Sequence, residues 1–235
     1  MVMVAPSAMT TGMGTTIRMT ITTITPEAAR LRLAQYLSPA FPTGGFAWSQ
    51  GLEWAIDRGL VTAANLPQWL GDWLDHGAGW CDAVLLSLAL RPDADHAALD
   101  DLARAMCPGA QRLTETVEQG HAFAANVATL TGQAQPPAAL PVALGRTCCK
   151  MPLPAPEIIG HYLQAQAAAL ISAAVRFMPL GPVAGQAMLA GLQPDILATA
   201  MRAGKAGPDD LASATWGADI AAMRHEMMTT RIFRS

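Results

Sequence analysis

The 235-residue chain is 51% hydrophobic, 6% aromatic and 14% charged, which excludes disorder as its main state and lets it bury a core without disulfides or metals. Fifteen Lys and Arg against 18 Asp and Glu leave a net charge of −3 and a pI near 5.9, so no overall field attracts nucleic acid or an anionic membrane. The mean hydropathy of +0.26 rests largely on alanine, a strong helix former of small area, and points to a helical protein with apolar surface left for partners.

Residues 1–25 hold eight Thr, five Met and a single charge, Arg18, without the basic start, apolar run or cleavage pattern of a secretory signal. They are set aside as a disordered tail, and 26–235 are read as one all-α domain of about ten helices. Glu27 to Leu37 suits a short helix that Pro39 stops. The following loop, Ser38 to Gly45, has the prolines and glycines of a shaped turn, with Pro42, Gly44 and Gly45 between Phe41 and Phe46. A second helix is expected from about Ala47 to Asp57, and a third begins at Asn65 with the apolar stripe Leu66, Trp69, Leu70, Trp73 and Leu74.

Helices are expected over Trp80–Leu90, Asp95–Met106, Gln111–Leu130 and Pro141–Cys149, with Gly77 and Gly79 kinking the chain before the first of these. A long helix opens at Pro156 and ends before Pro179, another region starts at Leu180 and breaks near Pro194, and Trp216–Thr229 is the last. No segment alternates with the period of a strand. The apolar runs Ala83–Leu90 and Ala167–Val175 are well short of the roughly 20 residues that span a bilayer, so no transmembrane helix is expected.

Chemistry is sparse. Cys81, Cys107, Cys148 and Cys149 lack the spacing of a disulfide framework, and reduced cytoplasmic thiols are expected. The histidines His76, His96, His121, His161 and His225 make no local ligand pair, no nucleophile elbow is present, and the Leu180–Gly185 stretch lacks the Lys and hydroxyl of a phosphate loop. No metal or cofactor is therefore assigned. Asp72, Asp75 and His76, with Asp82 beyond, define an alternative reading as a helical metal-dependent or Cys/His enzyme; their plainer role is a solvated helix face. The C-terminus, Arg224-His225-Glu226 and then Arg231-Ile232-Phe233-Arg234-Ser235, contains apolar residues that want burial. Either it folds back on its own domain, or it docks on another protein with Phe233 as anchor and the arginines as rim.

Three segments together resemble the urease accessory protein UreF family. They are Ser38-Pro39-Ala40-Phe41-Pro42-Thr43-Gly44-Gly45 continuing through Ser49-Gln50-Gly51-Leu52-Glu53, the Arg176-Phe177-Met178-Pro179-Leu180-Gly181 stretch with Gly185-Gln186, and the ending His225-Glu226 to Arg231-Ile232-Phe233-Arg234-Ser235. The resemblance implies a non-enzymatic, all-helical chaperone, a homodimer that joins the UreD/UreH accessory protein and the GTPase UreG on apo-urease during nickel insertion. It tips the C-terminal segment toward docking. Ser49, Gln50, Glu53, Arg176 and Gln186 become candidate contact residues beside Arg224 to Ser235, while Gly51, Pro179, Gly181 and Gly185 join Pro42, Gly44 and Gly45 as shaping residues. Arg176, on an otherwise apolar helix, requires a carboxylate or carbonyl partner.

Overall fold

Two helices organise the molecule, and both are apolar on nearly every side, the pattern of an element enclosed by others. The structure is a computed structural model that describes residues 24–234. In it α4 (Ala78–Ala89) is buried from Cys81 to Ala89, and α8 (Ala155–Phe177) buries Ile158, Ile159, Tyr162, Leu163, Ala167, Leu170, Ile171 and Ala174. By length and composition α8 is apolar enough to cross a membrane, which the shorter runs read from the sequence do not disclose. It packs here against α1 (Pro26–Tyr36), α2 (Leu52–Asp57), α4, α9 (Pro182–Gly191) and α10 (Gln193–Ala203).

Around this pair run α3 (Leu66–His76), α5 (His96–Ala105), α6 (Ala110–Thr131), α7 (Leu140–Cys148) and α11 (Trp216–His225). The described residues thus form an all-α fold of eleven helices and two 3₁₀ turns, Gly45–Ala47 and Pro208–Asp210, with no strand. Tyr36, Phe41 and Phe123 close one end of the core with ring centroids 5.5–5.6 Å apart.

Most expected helices appear within a residue or two of their sequence bounds. Thr25, assigned to the tail by sequence, is the N-cap of α1: its Oγ1 accepts the Ala28 N–H at 3.3 Å. The rest of that expected tail, residues 1–23, lies outside the described residues. Asn65 precedes α3 but does not cap it; its carboxamide instead accepts from Thr62 N and donates to Leu60 O, closing the preceding turn. The break expected near Pro194 falls at Leu192, and Pro194 stands in the first turn of α10, where its missing N–H is harmless.

Two departures shape the functional region. The helix expected over Ala47–Asp57 is split, because Gln50 (φ 52°) and Gly51 (φ 79°) are both left-handed and α2 starts only at Leu52. The last helix stops at His225 rather than Thr229, and the chain turns back at Glu226 toward the body of the protein.

Candidate functional site

The left-handed turn at Gln50 and Gly51 exists because α11 passes directly over it. A Cβ on Gly51 would lie 2.3 Å from the backbone nitrogen of Ala222, so only glycine permits this approach. The turn aims Glu53, 1% exposed, at the returning C-terminal segment. The Glu53 backbone N–H donates to Ser49 Oγ at 3.4 Å, and its carboxylate gathers three further donors. Oε1 accepts the backbone N–H of Ile232 at 2.6 Å; Oε2 accepts the N–H of Phe233 at 2.9 Å and the Nε2–H of fully buried His225, also at 2.9 Å. The other ring nitrogen of His225 lies 2.8 Å from Gln111 Oε1, and the Gln111 backbone N–H donates to Glu226. A buried carboxylate is costly unless its oxygens are saturated with donors, and here the donors are mostly main chain from the tail.

The remaining tail contacts extend the clasp. Phe233, 3% exposed, carries the guanidinium of Arg176 over its ring at 4.6 Å, and Arg176 donates to the carbonyl oxygens of Phe46 and Ser172. Arg176 therefore has the carbonyl partners its position demands. Arg234 donates its backbone N–H to Ala47 O at 2.8 Å, forks onto Glu118 at 2.6 and 3.0 Å, and lies over Trp48. The segment thus folds back on its own domain. Phe233, offered by the sequence as an anchor for another protein, is buried in this chain's own domain, where the bend at Ile232 and Phe233 turns its ring inward. Ile232, 67% exposed, and Arg231 face outward.

The other candidates distribute around this centre. Gln50 links the clasp to the core: Trp73 Nε1–H donates to its Oε1 at 2.9 Å, and its Nε2–H donates to Glu115 at 3.2 Å. Gly44 is left-handed at φ 76°, Gly45 packs near Gln119, and the Pro42 carbonyl accepts from Asn126. Pro179 and Gly181 form the turn between α8 and α9, and Gly185 seats α9 against Val175 and Ile171 of α8. Gln186 is not brought to the clasp: it lies exposed on α9 without a hydrogen bond among the described residues. Arg224 is exposed on α11, and Ser235 lies outside the described residues.

Sequence reasoning missed the second polar centre, which shares α6 with the first. Arg112, 7% exposed, donates to Asp82 Oδ2 at 2.6 Å and faces Glu115 Oε2 at 3.4 Å; the Tyr162 hydroxyl donates to the same Asp82 oxygen at 2.7 Å. Burial opposes the charge on Arg112, but the two carboxylates outweigh it and raise its pKa. Burial pushes the Glu115 carboxyl above its ordinary value despite Arg112, and pushes the Cys81 and Cys148 thiols to about 12. The only available signal was the presence of polar residues on the apolar faces of α4 and α6.

The residues of the enzyme alternative do not meet. Asp82 is committed to Arg112 and Tyr162, Asp75 accepts from Thr199 and pairs with Arg202, and Asp72 and His76 line a surface cleft with Trp69 and Trp216. Among the described residues no three His, Cys, Asp or Glu side chains converge as a metal site.

Comparison with known proteins agrees with the resemblance read from the three segments. The profile of the UreF family matches residues 60–193. The chain is 82% identical to the urease accessory protein UreF of Paracoccus denitrificans, over 92% of this chain and all of that protein. It is 54% identical to the urease accessory protein UreF of Cereibacter sphaeroides strain ATCC 17023, over 89% of this chain and all of that protein, and 44% identical to that of Rhodopseudomonas palustris strain HaA2, over 88% and 94%. With most of its length aligned to these proteins, the chain belongs to the UreF family of urease accessory proteins.

Proposed function

We propose that this protein is a non-enzymatic chaperone of the cytoplasm that, as a homodimer, bridges a UreD/UreH accessory protein and the GTPase UreG on apo-urease while nickel is inserted. Family membership supports the role in urease maturation. The observation that carries the docking part of the reading is the division of labour in the tail. Its backbone, Phe233 and Arg234 are held by the domain, while Arg231 and Ile232 are presented outward on a fixed support. A pre-ordered segment loses less entropy on binding than a free one, so an exposed apolar residue on such a support is suited to act as a contact.

The test is co-purification with UreD/UreH and UreG from the same source, read by mass-resolved size exclusion. Full-length protein is expected to form a complex with UreD/UreH and recruit UreG. The variant Arg231→Ala/Ile232→Ala, which leaves every donor to Glu53 in place, is expected to fold normally and weaken the UreD/UreH contact about 30-fold if Ile232 is a central contact. Equal binding by variant and parent moves the contact away from the tail. Failure of the full-length protein to bind either partner overturns the scaffold reading.

A further inference from the structure

Helix α11 buries Ala221, Ala222 and His225 against its own domain and turns a different set of side chains outward. Trp216 is 74% exposed, Ile220 52% and Met223 45%, and Met227, in the turn just past the helix end, is 80% exposed. The spacing of four, three and four residues puts all of them on one stripe. The stripe has an aromatic shoulder at each end: Trp69 shares a cleft of about 370 Å³ with Trp216, and Trp54 shares another with Ile220 and Met227. A contiguous exposed apolar surface of this kind marks an interaction site rather than scattered surface hydrophobics.

Its charges are asymmetric. At the N-terminal end Asp72 and His76 line the cleft beside Trp216; at the C-terminal end Arg224 shares a cleft with Asp57 and Arg58, which pair with each other at 3.6 Å and leave Arg224 as the net charge. Neither the Asp72 nor the Arg224 side chain forms an ion pair or hydrogen bond among the described residues. These facts suit one geometry. If two copies of α11 pair antiparallel about a two-fold axis at Ile220, residues whose numbers sum to 440 are level with each other. Ile220 then meets its own copy. Trp216 of one chain is level with Arg224 of the other, and Met223 with Gly217, a position with nothing within 4 Å of where a Cβ would stand. Each large side chain faces a small or flexible one, and each Arg224 arrives beside an aromatic ring and the Asp72 carboxylate. The chain already stacks arginine on an aromatic ring at Arg176–Phe233, Arg202–Trp80 and Arg234–Trp48. Self-complementarity under a two-fold is the condition for an isologous dimer, and antiparallel helices also oppose their dipoles favourably.

We propose that the Trp216–Ile220–Met223–Met227 face of α11 is the surface through which a second copy of this chain binds, antiparallel about Ile220, with Arg224 of each copy seated in the Trp69–Trp216–Asp72 cleft of the other. This rests on the homodimer of the functional reading and supplies its surface.

Sedimentation equilibrium of the full-length protein at micromolar concentration tests it. Ile220→Asp is expected to raise the dimer dissociation constant about 30-fold or more with unchanged helical circular dichroism, and Arg224→Glu about 10-fold. The exchange Asp72→Arg/Arg224→Glu is expected to recover most of the loss, and Ile220→Cys to give a disulfide-linked dimer on oxidation, since facing residues on the axis come within bridging distance. A dimer unaffected by Ile220→Asp overturns this surface and leaves the homodimer standing. So does an Ile220→Asp protein that stays dimeric but no longer binds UreD/UreH, which gives the face to that partner. A full-length protein that is monomeric at all these concentrations overturns both.

Discussion

The two buried polar centres on α6 are built in opposite ways. The Asp82–Arg112–Glu115–Tyr162 network joins side chain to side chain between α4, α6 and α8, in the middle of the chain and the middle of the core. The Glu53 clasp, with His225 and Gln111, takes two of its donors from the backbone of a terminal segment. Opening the first requires the helices to separate, whereas opening the second requires only the terminal segment to leave. The contrast teaches that two equally buried networks can differ in how much of the chain must move to break them, and it predicts that the tail opens with the domain still folded.

The largest effect is expected from Arg112→Met. It leaves two buried carboxylates without their cation, and removal of one partner from a buried ion network typically costs about 4 kcal/mol. The urea midpoint of the whole domain should fall accordingly in a single transition. A shift no larger than that of a surface substitution would show that water reaches the network.

Glu53→Ala should act more locally, costing about 2 kcal/mol through the unsatisfied tail N–H groups and the buried His225. Trypsin is expected to cut after Arg231 roughly 30-fold faster, as the open population of the tail rises, with a smaller shift of the global midpoint. If protease sensitivity and midpoint move by the same free energy, the tail belongs to the cooperative core and the contrast disappears.

Glu115→Gln is the finest probe. Because burial holds the Glu115 carboxyl above its ordinary value of 4.5, the folded chain keeps a proton there that the unfolded chain has released. Folding thus binds a proton, and this group's contribution to stability declines as pH rises above that value. The glutamine variant should flatten stability against pH just above that value, the smallest effect of the three. An unchanged slope assigns the pH dependence to other groups.

Apolar spacing and bounding prolines made α4 and α8 legible as helices, while their enclosure by the other helices is seen only in the structure. The resemblance marked Gly51 as a shaping residue without saying what approaches it. Nothing local shows that Glu53 meets His225 across 172 residues, or that Asp82 meets Tyr162 across 80. Those pairings are decided by packing, and the sequence carries only the cost that forces them, a charge on an apolar helix. The same limit explains α2: a left-handed Gln50 has no signature of its own, so the sequence there reads as continuous helix. The resemblance singled out Ser49, Gln50, Glu53, Arg176 and the tail, and the structure places those residues around one clasp; it gave no hint that the tail would be seated from within, nor that Gln186 stands apart.

Holding the tail by its main chain has an engineering consequence. Glu53 reads amide protons, which every residue but proline supplies, so the side chains at 231 and 232 are left without a structural duty. They can be exchanged, labelled or screened as a two-residue library to retune partner choice, while proline at 232 or 233 is the change the seat will refuse.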